Sequence, residues 1–279
     1  MPPLAKYLIR FVKCGECMSR TENVLTKRVL TDVKGLLTKK TRDAERKFIV
    51  EGWKSVEEAV NSGVKCDTIL YDPHNVEEYK LLSLLERSSR AIYQAKAKEI
   101  ESISDMVTSQ GIIAVLPQFN HIAAFSSVLR KSEALIIALD AINDPGNLGT
   151  IIRACDWFGV DAVLIGKHSV DMYNPKVVRS TMGSLFHLPV LTDVDLTESL
   201  AECRNAGCTM YSTELQKSED VRTIAFSKRS VIVIGSESHG VSENISVLAD
   251  KRIKIPQFGK AESLNAAMAC SVILSYLKL

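Results

Sequence analysis

Three uninterrupted apolar runs, at residues 135–139, 162–165 and 231–234, each lie between polar segments and are separated by stretches of helical period. A strand covered on one face alternates apolar with polar residues; these runs do not alternate, so both faces must be covered. The pattern predicts a parallel sheet between helix layers. Further strands are predicted at 189–191 and 209–211, and helices at 148–158, 175–183, 196–205 and 242–248. A last strand carrying Ile253, Ile255 and Pro256 leads through a polar loop, 257–265, to a helix with Met268, Ser271, Val272, Ser275 and Tyr276 at helical spacing.

Open parallel sheets bind ligands at the carboxyl ends of their strands, which directs attention to the loops there. The first, 140–149, holds Asn143, Asp144, Pro145, Gly146 and Asn147, and runs into a helix carrying Arg153 beside Ile151, Ile152, Ala154 and Trp157. An Arg on the buried side of such a helix needs an anionic partner, either a phosphate or a structural carboxylate. The second loop, 235–240, has Gly235 and Gly240 at its ends and Glu237 between them. The third presents Gly259, Lys260, Glu262, Ser263 and Asn265 where a helix begins. Ser263 reads there either as an N-cap or as part of a small-molecule site. Neither G-x-G-x-x-G nor G-x-x-x-x-G-K-[ST] occurs, which argues against dinucleotide or nucleoside triphosphate chemistry.

The N-terminal part has a smaller scale. An amphipathic helix is predicted over residues 23–37 with Val24, Leu25, Val29, Val33, Leu36 and Leu37 on its apolar face, followed by the basic run Lys39, Lys40, Arg42, Arg46, Lys47. Short strands at 48–50, 67–71, 91–94 and 112–116 alternate with helices at 53–61, around 76–87 and from Lys96, a small α/β unit. Residues 20–54 contain 10 Lys or Arg against 5 Asp or Glu, a balance suited to RNA or to a solvated face. The domain limits expected are a disordered extension at 1–22, a substrate-binding domain at 23–117, a linker at 118–132 and the larger domain at 133–279. Seven cysteines without a regular framework fit a reducing compartment, and no apolar run has membrane-spanning length, so a cytoplasmic protein is expected. Cys14 and Cys17 form a C-x-x-C with no second pair at metal-binding spacing, and no metal is expected.

The segments N-L-G-T-I-I-R-A-C-D-W-F-G, I-G-S-E-S-H-G-V and I-K-I-P-Q-F-G-K-A-E-S-L-N-A-A-M-A, in this order, resemble the three motifs of the SpoU (TrmH) branch of the SPOUT RNA methyltransferases. The stretch R-D-A-E-R-K-F-I-V-E-G-W-K-S-V-E-E-A, residues 42–59, resembles the ribosomal-protein-like substrate-binding domain often attached to them. The resemblance implies an α/β fold whose C-terminal methyltransferase domain carries a trefoil knot in a parallel sheet. It implies S-adenosylmethionine bound by Gly235, Ile255 and Leu264, a homodimer whose site is completed across the interface, and transfer to a ribose 2′-hydroxyl. Carried over residue by residue, Asn147, Arg153, Glu237, Ser263 and Asn265 fall in the catalytic site. The chain departs from the family at Ser238, where a glycine is common.

A guanidinium stays protonated below about pH 12, so Arg153 is better suited to binding the phosphate next to the target and stabilising developing alkoxide than to acting as a base. Lys39, Lys40, Arg42, Arg46 and Lys47 are expected to touch RNA phosphate. Ribosomal RNA is expected before transfer RNA, because the attached domain is seen more often on ribosomal RNA enzymes. Two readings stand beside this one: methylation of a base, and a non-catalytic RNA-binding protein that keeps the fold.

Overall fold

The computed structural model describes residues 24–76, 89–104, 106 and 108–278. The expected extension at 1–22, with its C-x-x-C, and nearly all of the helix expected around 76–87 lie outside them.

Two threonine hydroxyls start the first helices. Thr26 accepts from the Val29 N–H and begins α1 (Lys27–Gly35), and Thr38 accepts from the Thr41 N–H and begins α2 (Lys39–Glu45). The predicted helix over 23–37 is therefore shorter, and the first part of the basic run, Lys39, Lys40 and Arg42, lies in a second helix. Val33 and Leu36 are buried, whereas Val24, expected on the apolar face, is 85% exposed. Strands β1 (Lys47–Glu51), β2 (Cys66–Tyr71), β3 (Ser89–Gln94) and β4 (Ile112–Pro117) form a sheet of order β1-β4-β2-β3. Strand β4 runs antiparallel to β1 and β2, while β2 and β3 are parallel. Among the described residues, helices α3 (Trp53–Asn61) and α4 (Ala97–Glu101) also belong to this unit.

The segment expected to be a linker contains a helix instead, α5 (Ile122–Val128), whose Phe125 and Val128 are buried against the larger sheet.

The larger unit alternates strand and helix: β5 (Ala134–Asp140), α6 (Pro145–Trp157), β6 (Ala162–Gly166), α7 (Pro175–Ser180), β7 (Val190–Val194), α8 (Leu196–Asn205) and β8 (Thr209–Thr213). There follow β9 (Glu219–Asp220), β10 (Arg229–Gly235), α9 (Glu243–Ser246), β11 (Lys251–Lys254) and α10 (Ala266–Lys278). The seven strands pair in the order β7-β6-β5-β10-β8-β11-β9, every pair parallel. Strands β5 and β6 are buried at every position, which is why they read as unbroken apolar runs.

One hydrophobic cluster runs from Phe48, Val50 and Val56 of the smaller unit into Leu135, Ile137 and Ile151 of the larger. At the junction the Phe48 ring lies 4.6 Å from that of Tyr173 and 5.6 Å from that of Phe119, and the Tyr173 hydroxyl accepts from the Phe119 N–H at 2.8 Å. Burial pushes the Tyr173 hydroxyl up to about 12, so it stays protonated. Arg42 is a junction residue too, which overturns its expected role on RNA. It is 2% exposed, with Nε and Nη2 donating to Asp171 Oδ2 at 3.0 and 2.6 Å and Nη1 donating to the Leu36 and Leu37 carbonyls at 2.9 Å. No phosphate can reach a guanidinium so enclosed. His187 makes a second bridge: Nδ1 meets Asp156 Oδ2 at 2.8 Å and Nε2 meets Glu58 Oε1 at 2.9 Å.

Candidate active site

Each of the three polar loops follows a strand of the larger sheet, β5, β10 or β11, at its carboxyl end. After β5, Asp144 Oδ1 accepts from the Asn147 N–H at 2.8 Å and Pro145 takes the first helical position, so α6 starts three residues earlier than predicted. Asn147 thus stands in the first turn of a helix, a firmer base than a loop. After β10, the chain folds back on itself so tightly that a Cβ on Gly235 would lie 2.0 Å from the Gly240 carbonyl carbon. After β11, Asn265 Oδ1 accepts from the Ala267 and Met268 N–H groups at 3.0 and 3.2 Å. Asn265, in place of the expected Ser263, therefore caps α10.

These loops are joined by one network. Asn147 Nδ2 donates to Glu237 Oε1, Asn265 Nδ2 donates to Asn147 Oδ1 at 2.8 Å, and the Ala266 N–H donates to the same Glu237 oxygen at 3.2 Å. An ionised carboxylate only accepts, so Glu237 sets the Asn147 amide with its NH₂ toward Glu237 and its carbonyl toward Asn265. Groups 90 and 118 residues apart in the chain are thereby held in register, with Glu237 and Asn265 exposed and Asn147 half-buried.

Beside the network opens a cavity of about 880 Å³, of the size that takes a small-molecule ligand. Ile234, Gly235, Ile253, Ile255, Ala266 and Ile273 supply an apolar interior, while Glu237, Ser263 and Leu264 stand around it. Three residues expected to bind a cofactor, Gly235, Ile255 and Leu264, thus line one space with Glu237 and Ser263. An apolar floor with polar groups and turn backbone along one side fits a nucleoside carrying a charged tail. Ser238 also lines this cavity, and its hydroxyl meets His239 Nδ1 at 2.7 Å.

Two contributions escaped the sequence reading. The turn after β8 brings Thr213, Glu214, Leu215 and Gln216 into the cavity wall. Glu214 Oε1 accepts from the Ser212 hydroxyl at 3.0 Å and the Ser246 hydroxyl at 2.5 Å, and lies 3.3 Å from Arg252 Nε. Asp140, buried at the end of β5, holds the second loop by accepting from the Ser242 N–H at 2.8 Å and its hydroxyl at 2.6 Å. The available signal was position: both follow apolar strands at the edge where the three loops converge.

Arg153 stands apart. The buried face of α6 consists of Leu148, Gly149, Ile151, Ile152 and Cys155, which leaves Arg153 exposed and Trp157 85% exposed. The expectation of a buried-side Arg with an anionic partner is overturned: among the described residues Arg153 makes no hydrogen bond or ion pair and does not line the cavity. Helix α10 buries Ala266, Ala267, Cys270, Ile273 and Leu274 and leaves Met268 and Tyr276, two of the residues at helical spacing, 60% and 47% exposed. Where the helices meet, burial and the neighbouring Cys270 push the Cys155 thiol well up, so it stays protonated.

Of the basic residues expected on RNA, Lys39 pairs with Asp43 and Lys47 with Asp67, both at 2.9 Å, whereas Lys40 and Arg46 are exposed. Among the described residues no group of three or more His, Cys, Asp or Glu is placed to hold a metal ion, and no helix is long and apolar enough to cross a membrane.

The SpoU rRNA methylase family model matches residues 134–275, and an MRM3-like substrate-binding domain model matches residues 28–114. The chain is 33% identical over 264 residues to the 23S rRNA (guanosine(2553)-2′-O)-methyltransferase of Bacillus subtilis, covering 94% of this chain and all of that one. The AdoMet-bound rRNA methyltransferase of Sinorhizobium meliloti superposes with a TM-score of 0.81 at 30% identity over 91% of this chain and 96% of that one. The SpoU methyltransferase AviRb of Streptomyces viridochromogenes, in complex with AdoMet, superposes at 0.80 with 27% identity over 90% and 97%.

Proposed function

This chain belongs to the SpoU rRNA methylase family, and from that premise we propose that it transfers a methyl group from S-adenosylmethionine to a ribose 2′-hydroxyl of ribosomal RNA. The observation that carries the reading is the cavity walled by Gly235, Ile255 and Leu264 and flanked by the Asn147–Glu237–Asn265 network. Bound in that cavity, S-adenosylmethionine supplies a sulfonium methyl already activated toward nucleophiles. What the protein must add is alignment and a way for the hydroxyl to lose its proton.

Gly235 and Ile255 offer backbone groups to the cofactor, and Leu264 covers it. Ser263 and Asn265 orient the ribose or the carboxylate end of the cofactor. Glu237 and Asn147 keep the loops at their spacing. Arg153 binds the phosphate adjoining the target and stabilises the oxygen as charge develops on it. The proton leaves to that phosphate or to water.

Arg153 acts in a homodimer on this reading. Its exposure, with Trp157, Met268 and Tyr276 exposed on the same two packed helices, supports a face completed by a second copy. The threading of the C-terminal segment as a trefoil knot is part of the same proposal, supported by the resemblance of the three loop motifs to the SpoU family. We take residues 133–279 as the methyltransferase domain and 23–117 as the substrate-binding domain. Within the latter, Lys40 and Arg46, with Lys39 and Lys47 beside them, offer positive charge to RNA. Five free cysteines buried among the described residues support a reducing compartment, and we place the protein in the cytoplasm.

The test is methyl transfer from labelled S-adenosylmethionine to unmodified ribosomal RNA and, separately, to transfer RNA. Label in ribosomal RNA, resistant to alkaline cleavage at the modified position and lost with Arg153→Ala, is expected. Cofactor binding without label in either RNA overturns the substrate class, and absence of cofactor binding overturns the enzyme.

A further inference from the structure

The third loop carries a side chain that neither the core nor the hydrogen-bond network explains. Phe258 is 86% exposed, belongs to none of the hydrophobic clusters, and lies at the rim of the cavity. It is held from one side. The Arg222 guanidinium carbon sits 5.7 Å from its ring centroid, and Arg222 Nε donates to both Asp220 carboxylate oxygens at 3.0 Å. Asp220 in turn belongs to β9, the edge strand paired with β11, which leads into the Phe258 loop. The ring is therefore fixed by a cation anchored on the sheet, with most of its surface open to solvent. Lys260, two residues on, is exposed as well.

An apolar ring backed by a guanidinium, beside a free ammonium, is chemistry that takes an unstacked nucleobase and its phosphate. We propose that Phe258, oriented by Arg222, is a stacking platform for a base of the substrate RNA next to the target ribose, with Lys260 reaching the adjoining phosphate. The proposal rests on the methyltransferase reading above. Two other occupants have weaker claims. An adenine of the cofactor has the apolar interior formed by Ile234, Ile253, Ile255 and Ile273 available to it, deeper than the rim. A second copy of the chain has Trp157 and Met268, on the exposed side of α6 and α10, as its larger apolar surface.

Stacking on an aromatic ring tolerates any base, so loss of the platform weakens RNA engagement without redirecting the modified position. The experiment compares wild type, Phe258→Ala, Phe258→Trp and Arg222→Gln as full chains in steady-state methyl transfer to unmodified ribosomal RNA. Cofactor affinity is measured by calorimetry and oligomeric state by sedimentation. Phe258→Ala is expected to raise KM for RNA about tenfold or more with cofactor Kd unchanged, Phe258→Trp to bring KM back toward wild type, and Arg222→Gln to raise it about threefold. An unchanged KM in Phe258→Ala overturns the platform. So does a matching loss of cofactor affinity, which moves the ring to the adenine, or a change in oligomeric state, which moves it to a protein interface. A wild-type enzyme that transfers no methyl to RNA fails earlier and overturns the parent reading instead.

Discussion

The junction between the two sheets and the edge of the larger one both use polar side chains to join distant parts of the chain, but they differ in access to water. At the junction, Arg42 and Asp171 have side chains 3% and 11% exposed, and every donor faces an acceptor inside the fold. At the edge, Glu237 and Asn265 are exposed and Asn147 is half-buried, and the three share one carboxylate oxygen and two amides. A buried ion pair cannot be broken without stranding a charge, whereas an exposed network can exchange partners with a ligand at small cost. The first arrangement fixes the orientation of the smaller unit; the second leaves the site able to respond.

The contrast predicts a graded series. Asp171→Ala leaves the Arg42 guanidinium buried and unpaired, and should lower stability by about 3–5 kcal/mol in urea unfolding; a loss below about 1 kcal/mol would place Arg42 with the exposed charges. Next comes Gly235→Ala, whose Cβ collides with the Gly240 backbone. Reshaping that loop should cost about 1–3 kcal/mol, read as a roughly tenfold or greater rise in cofactor Kd. Asn147→Ala should split the two regions: kcat for methyl transfer falls about tenfold or more while unfolding free energy changes by less than about 1 kcal/mol. An equal loss of stability would make the network structural.

The smallest effect belongs to His187, which is a junction residue but part-exposed. Its hydrogen bond to Asp156, and after it the bond to Glu58, raise its pKa above the usual 6.5 although partial burial opposes them. The bridge therefore contributes fully below about pH 6.5 and is lost as pH rises through the higher folded value. Wild type should exceed His187→Gln in Tm by about 1–3 °C near pH 6, and the gap should close toward pH 9. A gap that persists at high pH would show the ring acting by packing alone.

Much of the larger unit was legible because its signals are local. Helix α8 occupies the predicted residues 196–205, since Asp195 accepts from the Thr197 and Glu198 N–H groups directly ahead of an apolar period. The sheet was legible for a similar reason: strands covered on both faces leave unbroken apolar runs. Where apolar residues occur around a whole helix, periodicity gives no direction. Arg153 was therefore expected on the buried side and proved exposed, as are Trp157 and Met268. Within the linker expected at 118–132, α5 was not legible because it is short and gains its order from Phe125 and Val128 meeting the sheet.

By itself, then, the sequence determined the buried strands, most of the helices, the three polar loops and the identity of the residues they carry. These follow from caps, turns and periodicities that act within a few residues. Only the tertiary structure decided that Arg42, one cation in a basic run, is buried against an Asp 129 residues away, or that Asn147 would lie between Glu237 and Asn265. A charge is indifferent to its place in a run, and what it does depends on which distant group the closed fold brings within hydrogen-bond reach and whether water can follow.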